Sequence, residues 1–393
     1  MGTIEGESPN SGTIPPHPRR ADIGLFIALS DPWMHQAGAE RLRKTLVERR
    51  GDIDWEWVVN QGVRHRTLPL IGYNVKKFRL YRSTLGDIEL IPNHWVFTSV
   101  FEGNRRRNEE LRAEFGRILA ALNETGVRYA IRKGPLLCER LFPDPGARRT
   151  NDFDLLVTSA GAREVSAMLA DQGYKQGLLS TDGQVRPYKR STRAFWGLHV
   201  NNALPFIKAT TASGVEAFLV DLCLSILPER DRRVVGSEEF LARAVPVVSC
   251  GVDAFALSPA DELLDLCQHL YKEADASFYI SAGRDIALSK FIDVASAVAL
   301  ADQDTLTTFV ERAKHYDIVR NVYYAISHTA EFYRDVVPAW LVEQLRPEGD
   351  LSYLDEHGHL EGNVRSWQSG FVERAFGSDR TSAVEEGGSV PLA

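Results

Sequence analysis

Apolar residues recur at helical spacing through much of the first 125 residues, a period that predicts helices. Ile23–Leu29 is a short apolar run, and Gln36–Arg49 has helical character. Asp54–Val63 aligns Trp55, Val58, Val59 and Val63 along one face. In Leu68-Pro-Leu-Ile71 a proline interrupts the pattern. Asn93–Glu124 is the longest periodic stretch: Phe97, Val100 and Phe101 form one stripe, and Leu111, Phe115, Ile118, Leu119 and Leu122 form another. Gly126 then stands where a glycine commonly ends a helix. This part reads as an all-helical lead-in.

From Val127 the pattern changes to short strand-like runs at Tyr129–Ile131, Asp154–Val157, Phe195–Val200 and Ala217–Leu224. Between the second and third lies an amphipathic helix, Ala162–Gln172, with Val165, Met168 and Leu169 on its apolar face and Gly173 at its end. Helical spacing returns near Leu257. Ser258 and Pro259 suit the N-cap and first helical position, Asp261 and Glu262 favour the positive helix end, and Leu263, Leu264, Cys267 and Leu270 make the buried face. Further helices are predicted over Arg284–Leu300, Thr305–His315 and Ile318–Phe332. The expected architecture is α+β: a small mixed sheet with helical regions on either side. The boundaries read as a flexible tail (1–21), an N-terminal helical region (22–125), an α/β core (126–256), a C-terminal helical domain (257–376) and a second flexible tail (377–393).

Composition narrows the function classes. Apolar content of 44% and charged content of 25% are ordinary for a globular protein, and a formal charge of −7 argues against a nucleic-acid partner. The N-terminus is polar and proline-rich with no apolar h-region, and no run is long enough to span a bilayer. Cys138, Cys223, Cys250 and Cys267 lack metal-site spacing and sit in apolar surroundings, so reduced core thiols and a cytoplasmic location are expected.

The chemistry concentrates in Arg128–Val157, RYAIRKGPLLCERLFPDPGARRTNDFDLLV. In a strand, alternate side chains share a face, so Asp152 and Asp154 point together while Phe153 points into the core. Two adjacent carboxylates repel unless a cation or water separates them. Asp221 sits in the apolar run Phe218–Leu224, where an unpaired charge is costly, and is the natural third member of a metal-binding set. Lys133-Gly134 could offer charge and close backbone approach to a phosphate, although alone it reads as a turn before a helix. Arg148 and Arg149 precede the aspartates and could pin phosphate oxygens. Arg105-Arg106-Arg107 reads as a solvated helix face, and His65 and His269 as hydrogen-bonded core histidines. No HExxH, P-loop, GxGxxG or GxSxG pattern occurs.

The block KGPLLCERLFPDPGARRTNDFDLLV resembles the uncharacterised nucleotidyltransferases, a polymerase-beta-like branch of the nucleotidyltransferase superfamily found in bacterial biosynthetic gene clusters. Lys133-Gly134, Arg148, Asp152, Asp154 and Leu155–Val157 match that family's pattern. Asn60–Ile71 resembles its N-terminal segment, and Leu257–Glu273 its C-terminal helix, with His269 at the family's histidine. The chain departs in carrying Pro135 after Lys-Gly, and Asp221-Leu222-Cys223 where the family tends to have Asp-Leu-His. The resemblance implies a nucleotidyltransferase core using Mg2+, with Mn2+ as an alternative, and a nucleoside triphosphate, ATP foremost. It implies Asp152, Asp154 and Asp221 as catalytic metal ligands, and Lys133, Gly134, Arg148 and Arg149 as nucleotide contacts. His269 and Lys272 are candidate acceptor or base contacts. An NMP would pass to a small molecule, peptide or protein, releasing pyrophosphate. The alternative is a catalytically inactive protein of this fold that recognises a peptide or protein partner.

Overall fold

The computed structural model describes residues 20–193, 202–212, 214–227 and 236–377. The strand expected at Phe195–Val200 and most of both expected tails lie outside the described residues. Four helices, α1 (Arg20–Leu29), α2 (Gln36–Glu48), α3 (Trp55–Arg64) and α4 (Leu68–Lys77), lead to the 31-residue α5 (Trp95–Thr125). Asp54 caps α3, its carboxylate accepting from the Trp57 N–H. Pro69 falls in the first turn of α4, where an N–H would have no intrahelical acceptor. The proline therefore starts a helix instead of interrupting one. Gly126 closes α5 at φ +68°, as expected. Val63 leaves the predicted stripe: it is 62% exposed, and Val58, Gln61 and Gly62 take the buried face of α3.

An eight-stranded mixed sheet follows, wider than the four short runs predicted. Its strands are β1 (Tyr129–Ile131), β2 (Asp152–Val157), β3 (Lys175–Leu179), β4 (Val185–Pro187), β5 (Phe206–Ala209), β6 (Ala217–Cys223), β7 (Val245–Ser249) and β8 (Val252–Ala256). Their order is β4-β3-β5-β6-β2-β1-β8-β7; β2–β6 and β1–β8 are parallel and the other pairs antiparallel. Strands β3, β4 and β7 leave much of their length exposed, so their apolar signal is weak. Helix α6 (Pro135–Leu141) joins β1 towards β2, and α7 (Ser159–Asp171) follows β2.

The two faces of the central strands differ. On one, Phe153, Leu155, Val157, Val220 and Leu222 pack against α5 and α7 through Phe115, Leu119, Val165 and Leu169. The Phe153 ring stacks on Phe115 at 4.7 Å between centroids. On the other, Ala130, Leu156 and Cys223 pack on Phe240 and Leu241 of α8 (Ser237–Ala242). By alternation, Asp152, Asp154 and Asp221 lie on this second face, beyond its apolar patch.

Among the described residues, seven α-helices follow, α9 (Pro259–Asp275), α10 (Ser277–Ser281), α11 (Leu288–Leu300), α12 (Gln303–His315), α13 (Val319–Phe332), α14 (Ala339–Leu345) and α15 (Phe371–Phe376), with a small antiparallel pair, Glu356–His357 and Arg365–Ser366, between the last two. The helix expected from Arg284 starts four residues later, because Ile286 adopts φ +36°, outside the helical region. Phe26, Leu42 and Ile71 of the N-terminal helices share one continuous core with Leu264, Phe291 and Ile326 of the C-terminal ones. All four cysteines are free, three of them buried and Cys250 partly so. Among the described residues, no helix is long and apolar enough to cross a membrane.

Helices α4 and α5 meet at Gly72, where an added Cβ would lie 2.1 Å from the Phe97 carbonyl oxygen. Gly72→Ala is expected to cost at least about 2 kcal/mol by forcing the helices apart. Gly103→Ala, exposed on α5 with nothing within 4 Å of the new methyl, should stabilise by roughly 0.5–1 kcal/mol. Urea denaturation of both variants checks the pair; equal effects would refute the close approach as the cause.

Candidate active site

The segment entering β2 has little apolar material of its own, and polar side chains of α5 hold it. The Asn104 amide donates to the carbonyls of Gly146 (2.7 Å) and Arg148 (3.2 Å), and Asn108 donates to those of Pro145 (2.7 Å) and Arg148 (2.8 Å). Arg107 donates to the Thr150 carbonyl and to Asn151 Oδ1. The arginine triplet is therefore not uniform: Arg105 and Arg106 are exposed, whereas Arg107 is half-buried and orders the entry to β2. Arg148 grips Asp293 of α11 with two bonds of 2.8 Å, so its guanidinium ties this segment to the helical core. Arg149 is exposed and reaches Asn151 Oδ1 at 3.3 Å.

Gly134 has φ +73°, and a Cβ there would sit 2.8 Å from the Asp152 carbonyl oxygen. Only glycine allows the chain leaving β1 to pass this close to β2. Asp154 and Asp221 are register partners on the parallel strands β2 and β6, and Asp152 stands two residues earlier on the same face. The three carboxylates that the sequence suggested are thus brought together from segments 67 residues apart (221 − 154).

Their electrostatics differ. Burial, then repulsion from Asp154 and Asp152, pushes Asp221 up to about 7. Burial and the Asp154 charge also raise Asp152. Asp154 pays the same desolvation cost, but Lys133 and Arg132 outweigh it and hold its carboxyl below the usual range. The Lys133 ammonium lies 3.6 Å from Asp154 Oδ2 and 3.2 Å from His269 Nδ1. Arg132 donates its backbone N–H to the Asp154 carbonyl and grips buried Asp265 of α9 with Nε and Nη2.

His269 is not an open liner. Its Nε2 is 3.0 Å from Glu273 Oε1, which Lys290 of α11 approaches at 3.3 Å. Burial, with Lys133 and Lys290 nearby, pushes the imidazole down to about 4. Lys272 is exposed and has no side-chain bond to the carboxylates. Sequence reasoning missed Arg132, Asp265, Glu273, Lys290 and Asp293. A signal existed: Asp261, Asp265, His269 and Glu273 recur every fourth residue, a polar line running along one side of the helix.

Among the described residues, no group of three or more His, Cys, Asp or Glu side chains is already posed around a metal position. Here Lys133 supplies the counter-charge for Asp154. The donor chemistry still suits a hard divalent cation: three carboxylates on neighbouring strands, one of them driven towards protonation by burial and by the other two. Two open surface hollows of about 490 and 510 Å³ lie elsewhere along α5, and neither is lined by these aspartates.

The family model described as "uncharacterised nucleotidyltransferase" matches residues 51–334. Among solved structures, the chain is similar to an antigenic nucleotidyltransferase-like protein from Paracoccidioides brasiliensis, with 16% identity and a TM-score of 0.30 over 54% of this chain and 92% of that one. No curated protein matches it.

Because Asp221 binds its proton more tightly folded than unfolded, its contribution favours folding below about pH 4 and is lost as pH rises to about 7. In protein kept free of divalent metal, Asp221→Asn should therefore leave stability near pH 4 almost unchanged. By pH 8 it should add roughly 1–3 kcal/mol. Denaturation midpoints across this range test it; a pH-independent difference would contradict like-charge crowding.

Proposed function

This chain belongs to the uncharacterised nucleotidyltransferase family, and from that premise we propose a metal-dependent transfer of a nucleoside monophosphate. AMP from ATP is the first candidate, and the acceptor is a hydroxyl of a small molecule, peptide or protein, in natural-product biosynthesis. The observation that carries this reading is the register pairing of Asp154 with Asp221, with Asp152 beside them and Lys133 at 3.6 Å.

Asp152, Asp154 and Asp221 would hold Mg2+, or Mn2+ in its place, and the ion would neutralise charge on the phosphate oxygens. Lys133 binds the phosphate tail as a compact point charge. Asp221 takes the acceptor hydroxyl proton on a carboxylate oxygen. The acceptor oxygen bonds to the α-phosphorus in line while the bond to the bridging oxygen breaks, and pyrophosphate departs. His269 is poorly suited as the base, since both its ring nitrogens are engaged and its proton affinity is low. Arg149, exposed three residues before Asp152, is better placed than Arg148 to meet an incoming nucleotide, because Arg148 is committed to Asp293.

A second reading, a non-catalytic partner-binding protein on this fold, draws on the Lys133 ammonium lying against Asp154, where it neutralises the carboxylate internally. Calorimetry with ATP and Mg2+ separates the two: an intact protein that binds no nucleotide favours the second.

With Mg2+, each α-labelled NTP and candidate acceptors, the wild-type protein is expected to transfer label. Asp152→Ala and Asp154→Ala should each reduce transfer by at least about 100-fold, and Lys133→Ala should raise the KM for the nucleotide. Transfer that survives both aspartate changes would sink the assignment.

A further inference from the structure

Lysine can only donate, so the 3.2 Å contact between Lys133 Nζ and His269 Nδ1 requires a lone pair on Nδ1. The neutral ring then carries its proton on Nε2, which lies 3.0 Å from Glu273 Oε1. That same oxygen faces Lys290 Nζ at 3.3 Å, so the Glu273 charge is balanced locally. The sequence Asp154–Lys133–His269–Glu273–Lys290 is a continuous line of polar contacts from β2 through α9 to α11. Lys133 and Glu273 are both buried, and His269 and Lys290 are only partly accessible, so bulk water competes weakly for these bonds.

We propose that Glu273 is a positioning residue for Lys133 that acts through His269: by accepting the Nε2 proton it keeps the Nδ1 lone pair turned to the ammonium. The ammonium has three N–H bonds. Asp154 and His269 direct two of them, leaving the third to meet an anionic ligand, which on the functional reading above is a nucleotide phosphate oxygen. Without the pull of His269, the flexible four-carbon stem would let the ammonium settle against the carboxylates. Helices α9 and α11, remote in sequence from the Asp pair, would thereby set the geometry of phosphate binding.

Selective 15N-histidine labelling reads the tautomer of His269 directly, and calorimetry with ATP and Mg2+ reads the ligand. In the wild-type protein His269 should show the neutral Nε2–H form. Glu273→Gln keeps an accepting oxygen and should preserve both the tautomer and, within about threefold, the affinity. Glu273→Leu should lose the tautomer preference and bind ATP about tenfold more weakly, the loss of one charge-assisted hydrogen bond, with KM rising more than kcat falls. A folded Glu273→Leu protein that keeps the Nε2–H form, or that loses it with unchanged ATP affinity, would overturn the proposal. Should that variant fail to fold, Glu273→Asp, whose carboxylate falls short of Nε2, is read in the same way. Wild-type protein that binds no triphosphate is a different failure: it removes the nucleotidyltransferase reading, while the histidine spectra of the variants still decide whether Glu273 sets the tautomer.

Discussion

Three carboxylates crowded on two adjacent parallel strands are the constraint around which the rest of the molecule is arranged. Desolvation acts against the charged form of Asp152, Asp154 and Asp221, and repulsion from neighbouring carboxylates adds to it at Asp152 and Asp221. Strand geometry holds them there regardless, because Phe153 and Val220 are locked into the opposite face against α5 and α7. The compensating charge has to come from outside the strand pair. Lys133 and Arg132 provide it from the end of β1, and each is in turn matched by a partner on α9.

That matching also couples the sheet to the helices. Arg132 pairs with Asp265, Arg140 with Glu262, and Arg148 with Asp293, each joining the segment from the end of β1 to the start of β2 with a C-terminal helix. Such buried pairs add little as gross stability, but losing one partner strands a charge and costs about 3–5 kcal/mol. Their effect is specificity of docking. The helices cannot slide along the sheet without breaking several pairs at once, so the polar stripe of α9 stays over the aspartates.

The loop before β2 shows the same division of labour. It has no apolar anchor sufficient to fix its path, and its carbonyls are taken up by Asn104, Asn108 and Arg107 from a long, rigid helix. Gly134 allows the chain leaving β1 to approach Asp152 closely. Precision at the aspartates thus derives from α5 as much as from the strands that carry them.

Much was legible in the sequence for a local reason. Period and capping depend on residues a few positions apart, so α2, α5, α7, α9 and the strands β1 and β6 fell close to their predicted bounds. The alternation in Asp-Phe-Asp was enough to put two carboxylates on one face. Other features needed the fold. Half-exposed strands such as β3 and β7 carry little apolar signal and exist because neighbouring strands supply their hydrogen bonds. The pairing of Asp154 with Asp221 is a matter of register, and the roles of Arg148, Arg107 and His269 depend on partners 43 to 145 positions away, as in Arg107–Thr150 and Arg148–Asp293. Sequence fixed which side chains could do chemistry, since charge and periodicity are properties of the residues themselves. Tertiary structure decided which of them meet and which are spent on holding the others, because a charge buried in a protein takes its role from its nearest opposite charge.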